Sequence, residues 1–396
     1  MAVIGEGTYV VRGPARIAFD GCEAEIMGSE CSGCETVVPV GRTFTIKVKK
    51  SGCRYTLTPP NATLEYSRIG EKFYEVKERI VNSFLERRND GIVFIGPPDK
   101  GKSTLSILVH NTLRSRLKEG STALVTTDIG QNEVYAPCFV SASSDVVLPG
   151  VQSRLLDNCF VGSTSPPQAI EKYFHCVNRV VRKLVSEGYK VVVDTDGWIN
   201  GLRGIYSKLA ITTLLSNPLI VLSSLNDRDR SMIEYFYSPN ILHYVVEGLE
   251  TKKREERRLH RVRLIAKELR GASHMFFNES MVRILGLPVF NGRSIDPKTL
   301  KLRNVVYAEE NGGTITLVLR RGSKPVKPKR NVNVLVEGWE RGLIASLYYE
   351  SEVKGLGVVE SVDYKRRGVT LVSSYRGPVD IVEIGVARFP EVFGRS

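Results

Sequence analysis

The stretch Gly96-Pro97-Pro98-Asp99-Lys100-Gly101-Lys102-Ser103 satisfies the GxxxxGK[ST] spacing at every fixed position. Two glycines let backbone amides approach an anion closely, at angles that a residue with a Cβ resists. The amides and the helix that should begin at Lys102-Ser103-Thr104 present positive partial charge to a phosphate chain. Lys102 has the reach for β- and γ-phosphates, and Ser103 has a hydroxyl for magnesium. The flanks agree, since GIVFI before the loop reads as a buried strand and TLSILVHNTL after it as a helix. A nucleoside triphosphate site with Mg²⁺ is therefore expected. The loop alone does not separate a kinase from a GTPase, a motor or a passive binder.

Four other stretches bear on what receives the phosphate. In TALVTTDIGQNEVYAP, Asp128 ends an apolar strand, where a carboxylate can touch a magnesium shell or take a proton from an attacking hydroxyl. Gln131 can hydrogen-bond a phosphate or a sugar, although the same residues also suit an ordinary helix cap or turn. KVVVDTDGWING ends a second strand in Asp194-Thr195-Asp196-Gly197-Trp198. Trp198 there suits stacking on a base, or else anchors local packing, and Asp194 is an alternative magnesium carboxylate. TKKREERRLHRVRLIAKELRG, residues 251–271, holds nine Lys or Arg and three Glu. On a helix, Arg254, Arg257, Arg258 and Arg261 share one side, and Leu259, Val262, Ala266 and Leu269 another. Such arginines either stabilise charge on a transferring phosphoryl group or form a solvated basic face. VGSTSPPQ offers Ser163, Thr164 and Ser165 in a loop.

These residues need a scaffold. GIVFIG, TALVTTD, KVVVDTDG and PLIVLSS are nearly all-apolar strands separated by helical patterns. Strands buried on both faces and spaced by helices predict a parallel sheet in an α/β domain. Residues 1–88 read instead as short strands (TYVVRG, ARIAF, EAEIMG, RTFTIKVKK, CRYTLT), a β-sandwich-like domain, followed by a helix over EKFYEVKERIVNSFLERRND. After 285 the alternation stops, and seven further strand patterns predict a C-terminal β-rich domain over 286–396, with RRGSKPVKPKRN as a basic loop. The middle domain is placed at 89–285.

The net charge of +13 over 396 residues favours a polyanionic partner. No basic segment followed by a long apolar run opens the chain, and no apolar run approaches the ~20 residues that span a bilayer. A cytoplasmic or nuclear protein without membrane contact is expected. Three glutamines against many Lys, Arg and Glu hint at a heat-adapted source. Cys22, Cys31, Cys34 and Cys53 lie close in sequence, and a zinc site, disulfides and free thiols all remain open.

The cradle, Asp128-Ile-Gly-Gln131, the Ser-Thr-Ser-Pro loop, Thr195-x-Gly197-Trp198 with Gly201, and the Arg-rich segment occur together in that order. The combination resembles the polynucleotide 5′-hydroxyl kinases related to the kinase subunit of the mRNA cleavage factor and to ribosomal-RNA-processing kinases, and an archaeal member is expected. The resemblance implies an α/β P-loop kinase domain flanked by the two β domains, and transfer of the ATP γ-phosphate to the 5′-hydroxyl of RNA, with DNA left open. It implies that Lys102 and Ser103 hold ATP and magnesium, that Asp128 activates the 5′-hydroxyl and joins the metal shell, and that Gln131 and Thr164 contact substrate. Trp198 would clasp the terminal base, and Arg257, Arg258 and Arg261 would form a lid. The chain departs from the family at Asp194, where many relatives have Asn, and after the lid, where AKELRG lacks an aromatic cluster. Two other classes remain: an ATP-bound scaffold in an RNA-processing complex, and a GTPase, faintly suggested by Asn226-Asp227-Arg228-Asp229. Protein partners and oligomeric state are not legible.

Overall fold

The computed structural model describes residues 1–117, 120–237, 240–300, 302, 304–323 and 330–393. Its contacts divide the chain into two compact units, Met1–Val161 with Ser165–Arg261, and Gly162–Thr164 with Val262–Ser396.

The first unit opens with nine short strands: β1 (Ala2–Ile4), β2 (Gly7–Arg12), β3 (Ala15–Asp20), β4 (Glu23–Ile26), β5 (Ser29–Ser32), β6 (Glu35–Val38), β7 (Thr43–Val48), β8 (Cys53–Thr58) and β9 (Leu64–Tyr66). They pair into two antiparallel sheets, in the orders β1-β8-β3-β6 and β5-β4-β7-β2-β9. Alternating burial along β3, with Ala15, Ile17 and Phe19 inside, is what a sheet with one wet face requires. Of the cysteine alternatives, the structure takes disulfides: Cys22–Cys53 and Cys31–Cys34, and a third bond, Cys159–Cys176, that the sequence did not suggest.

Helix α1 (Arg68–Glu86) follows, capped by the Ser67 hydroxyl, which accepts from the Gly70 amide at 3.0 Å. The expected apolar face is the buried one: Phe73, Val76, Ile80 and Phe84. Lys77 on the same helix is fully buried and reaches the Glu25 carboxylate at 3.0 Å, which fixes the helix to β4.

Next come β10 (Gly91–Ile95), α2 (Lys102–Arg116), β11 (Thr122–Thr126), β12 (Phe139–Ser143), β13 (Asp157–Phe160), α3 (Ile170–Ser186), β14 (Lys190–Asp194), α4 (Gly201–Thr212), β15 (Pro218–Ser223), α5 (Asp227–Tyr237), β16 (Ile241–Tyr244) and α6 (Arg254–Glu268). The sheet order is β13-β12-β11-β14-β10-β15-β16. The expected parallel sheet is mixed: β11, β14, β10, β15 and β16 run parallel, whereas β12 and β13 are antiparallel. The reason is local. Residues 127–138 join β11 to β12 as a loop with no crossover helix, and the chain returns antiparallel. Asn132 shapes that loop, donating to Phe139 O and Ser141 Oγ and accepting from the amides of Val134 and Tyr135, all at 2.9 Å.

Residues of β10 alternate between two cores. Ile92 and Phe94 pack with α1, α2 and the N-terminal sheets, while Val93 and Ile95 pack with α3 and α4. Asn111 of α2 donates to Met27 O at 2.8 Å and Val147 O at 2.9 Å, stitching the N-terminal strands to the P-loop helix.

The second unit has its own core around Phe277, Leu347, Val359, Leu371 and Val382. Strands β17 (Ser273–Asn278), β18 (Arg283–Leu285), β19 (Arg293–Ser294), β20 (Val305–Asn311), β21 (Thr314–Leu319), β22 (Val332–Val336), β23 (Leu343–Tyr349), β24 (Glu352–Asp363), β25 (Gly368–Ser373) and β26 (Ile381–Arg388) build it. They form two mixed sheets, ordered β17-β25-β24-β23-β26-β18 and β19-β20-β21-β22. Of the expected basic loop RRGSKPVKPKRN, positions 324–329 lie outside the described residues. Among the described residues, no helix is long and apolar enough to cross a membrane.

Candidate active site

The loop from Gly96 to Gly101 joins β10 to α2 at the carboxyl end of the parallel strands, where α/β folds bind ligands. Both fixed glycines are forced. A Cβ on Gly96 would lie 2.6 Å from Ser223 O. Gly101 has φ +80°, and a Cβ there would lie 2.7 Å from the Phe73 ring. Gly101 also precedes α2 with no side-chain cap, so the first amides of the helix are left for an anion. Lys102 is buried and folds back to donate to Pro97 O at 2.8 Å. Burial lowers its pKa, while the charges of Asp194 and Asp128 oppose that shift.

Three aspartates converge from neighbouring strands, since Thr126 at the end of β11 pairs with Asp194 at the end of β14. Asp128 Oδ1 accepts from the amides of Gly130 and Gln131, both at 3.0 Å. Burial, then the charge of Asp196, raises its pKa. Asp194 is buried and its Oδ1 has no protein partner. Burial pushes it up to about 7 against the pull of Lys102 and a hydrogen bond with Ser103. An unpartnered buried carboxylate oxygen beside a hydroxyl and a lysine is costly unless a further group satisfies it. Asp196 is fully engaged: Oδ2 accepts from Lys208 at 2.6 Å and Tyr173 at 2.9 Å, and Oδ1 from the Trp198 amide at 2.7 Å.

A cavity of about 280 Å³ opens over the loop. Its floor is Pro98, Asp99, Gly101, Lys102, Ser103 and Thr104, and Asp128 and Gln131 face it. Met27, Gly41, Arg42 and Thr43 of the N-terminal strands line it too, as do Glu133 and Lys252. None of these last was expected. Arg42 binds Glu133 at 2.6 Å and lies 2.6 Å from His260 Nε2. Burial pushes His260 down to about 4, so it is neutral at pH 7 and accepts from the guanidinium. Burial pushes Glu133 up, but Arg42, His260 and Lys252 together outweigh it and hold the carboxyl below its usual range. These contacts span 91 and 218 residues of sequence, which no local pattern could announce.

Arg257 of α6 pairs with Asp99 of the loop, and the Lys252 amide donates to the same carboxylate at 3.2 Å. The Nε atoms of Arg257 and Arg261 are buried without a hydrogen-bond partner. Burial lowers the pKa of Arg261, with the charge of Asp128 opposing. Arg258 is exposed. Of the expected apolar face of α6, Leu269 is buried but Leu259 is 51% exposed, and Leu264 and Ile265 are buried instead. Gly96, Pro97 and Lys100 complete the loop without lining the cavity. Trp198 is half-buried beside Gly197 and does not line it. Thr164 groups with the second unit, where Gly162 O accepts from the amides of Val386 and Ala387. Among the described residues, no cluster of three or more His, Cys, Asp or Glu could hold a metal ion by itself.

Residues 96–267 match the sequence family described as mRNA cleavage and polyadenylation factor CLP1 P-loop. This stretch is a CLP1-type P-loop segment. The chain is similar to the polyribonucleotide 5′-hydroxyl-kinase of Methanocaldococcus jannaschii, 25% identical over 320 residues, 76% of this chain and 86% of that one. That of Pyrococcus furiosus is 24% identical over 338 residues, 83% and 94% of the two chains. The protein CLP1 homolog of Arabidopsis thaliana is 27% identical over 244 residues, 53% and 52%. The resemblance drawn from the motifs is borne out. Two solved structures of Clp1p with Pcf11p superpose with TM-scores of 0.67 and 0.66 at 13% identity, covering 98% of this chain and 98% and 97% of theirs. They show that this chain shares the fold of Clp1p.

Proposed function

We propose that this protein is an ATP-dependent polynucleotide 5′-hydroxyl kinase, with RNA as its substrate and 5′-hydroxyl DNA as a second acceptor to be tested. The observation that carries the reading is one cavity holding a P-loop lysine and a half-buried aspartate of raised pKa, with Arg257 of the arginine helix tied to Asp99 on its floor. The names of the archaeal relatives support it.

In this reading the segment 89–285 is the kinase, flanked by β segments at 1–88 and 286–396. Gly96 to Thr104 cradle the ATP phosphates, and Lys102 leaves Pro97 O for the γ-phosphate. Magnesium, which would offset charge on the phosphates when bound, suits Ser103, with Asp128 in its outer shell because its free oxygen is needed for the proton. Asp194 joins that set because its unpartnered oxygen sits beside Ser103, and a magnesium ion that keeps several waters needs few protein ligands. Asp128 takes the proton of the attacking 5′-hydroxyl on Oδ2, since Oδ1 is occupied. The new O–P bond forms as the β–γ bridging O–P bond breaks, and the electron pair leaves on ADP. A base of raised pKa is better matched to this step than an ordinary aspartate. Arg257, Arg258 and Arg261 offset charge on the transferring group. Gln131 and Trp198 hold the nucleic acid end. We place the protein in the cytoplasm.

The test is transfer from γ-labelled ATP to short RNA and DNA with 5′-hydroxyl ends. Lys102→Ala and Asp128→Ala should each lower transfer at least a hundredfold, by analogy with removal of a single charge-stabilising group. Tight ATP binding with no label on any oligonucleotide refutes the kinase and leaves an ATP-bound scaffold.

A further inference from the structure

Trp198 belongs to a turn that is held unusually firmly. Its amide donates to Asp196 Oδ1 at 2.7 Å. The same carboxylate is gripped on Oδ2 by Lys208 of α4 at 2.6 Å and by the Tyr173 hydroxyl of α3 at 2.9 Å. Tyr173 and Lys208 are fully buried and Asp196 is 5% exposed. Three separate elements, the end of β14, α3 and α4, therefore converge on one side chain. Next to it, Gly197 is wedged on the phosphate loop, since a Cβ there would lie 2.5 Å from Pro98 Cγ. The preceding residue is tied as well, because Thr195 Oγ1 donates to Phe94 O of β10 at 2.6 Å. A buried ion pair gives no more stability than well-packed apolar residues of the same volume. Stability alone does not account for a lysine with no exposed surface at this position.

We propose that Asp196, Lys208 and Tyr173 are positioning residues that set the distance and orientation of Trp198 relative to the phosphate loop. The trio touches neither phosphate nor hydroxyl. It fixes the turn from beneath, so that a base stacked on Trp198 holds its 5′-oxygen at one place over the cradle. Reactions between two bound groups lose rate steeply when either is misplaced by an ångström. The inference rests on the kinase reading, with Trp198 as the contact to the terminal base.

The experiment measures KM for a short 5′-hydroxyl oligonucleotide and KM for ATP separately, in full-length protein. Tyr173→Phe keeps the ring and removes one hydrogen bond. It should raise the oligonucleotide KM about tenfold, as expected for one buried hydrogen bond to a charged group, and leave the ATP KM within twofold. In a Trp198→Ala background the same substitution should change nothing further, because its effect runs through the indole. Lys208→Arg should retain most activity, and Lys208→Met combined with Asp196→Asn removes both charges together should either single change prevent folding. An active wild type in which Tyr173→Phe raises both KM values in parallel, or acts equally with and without Trp198, overturns the inference alone. A wild type that transfers no phosphate removes the kinase reading and this inference together.

Discussion

Asp194 should make the ligand-free protein less stable at the pH where it works. Its carboxyl is pushed up to about 7 by burial, from an ordinary 3.8. The folded state therefore keeps the proton over a range in which the unfolded chain has released it. Stability from this group is fully present below pH 3.8 and is lost as pH rises through about 7. At ~1.36 kcal/mol per pH unit, a gap of about 3 corresponds to about 4 kcal/mol at saturation. Asp194→Asn is an isostere with no charge to desolvate. Lys102 loses an attractive neighbour in that variant, which offsets part of the gain, so a net stabilisation of about 2–4 kcal/mol is expected at pH 8 and close to none at pH 4. The assay is urea unfolding without nucleotide at pH 4.5, 6 and 8. The two tryptophans lie in different units, so a Trp339→Phe background leaves Trp198 to report the unit that contains Asp194. Wild type should weaken from pH 4.5 to 8 relative to Asp194→Asn, whose curve lacks that slope. The variant should also lose the extra protection that ATP with magnesium gives wild type. Equal pH slopes, or a variant less stable at pH 8, would refute the reasoning, because they would mean the buried carboxylate is already satisfied without a ligand.

Two other substitutions probe the cradle. Gly197→Ala puts a methyl 2.5 Å from Pro98 Cγ, so the loop must shift; nucleotide titration should show about tenfold weaker ATP binding, with a stability loss of about 1–3 kcal/mol. Asp99→Asn releases Arg257 from its carboxylate partner and removes a negative charge from the floor of the cavity; the KM for ATP should fall about threefold, in the range of a partly screened pair.

Much of the chemistry was legible because it is local. The cradle, Asp128 and the arginine helix are each encoded within a few consecutive residues, and β10, β11, β14 and β15 announce themselves as unbroken apolar runs. Strands β12, β13 and β16 did not, because FVSAS, DNCF and ILHY are short and polar enough to pass for loop. The β17 and β18 strands lie before residue 286, in a stretch where the helix-rich pattern still dominates. Arg42 was invisible as a cavity residue because its meaning depends on Glu133, 91 positions away. The Asp196–Lys208 pair was hidden for a different reason. A lysine within GLRGIYSKLAIT reads as solvent-facing, and only the packing of α4 on the end of β14 turns it inward.

The Asx turn at Asp128 has a consequence for which hydroxyl can react. A carboxylate on a free side chain rotates and offers either oxygen to an incoming proton. Here two backbone amides hold Oδ1, so the side chain cannot swing and a single oxygen faces one direction. Under the proposed reaction, a proton can be accepted along that direction alone. The 5′-hydroxyl, a primary alcohol at the end of a flexible methylene, can be brought onto that line. A ribose 2′- or 3′-hydroxyl, fixed to a ring whose base is already stacked, has less freedom to reach that line. Regioselectivity would then be written into four residues, Asp128 to Gln131, before any contact with the base is made.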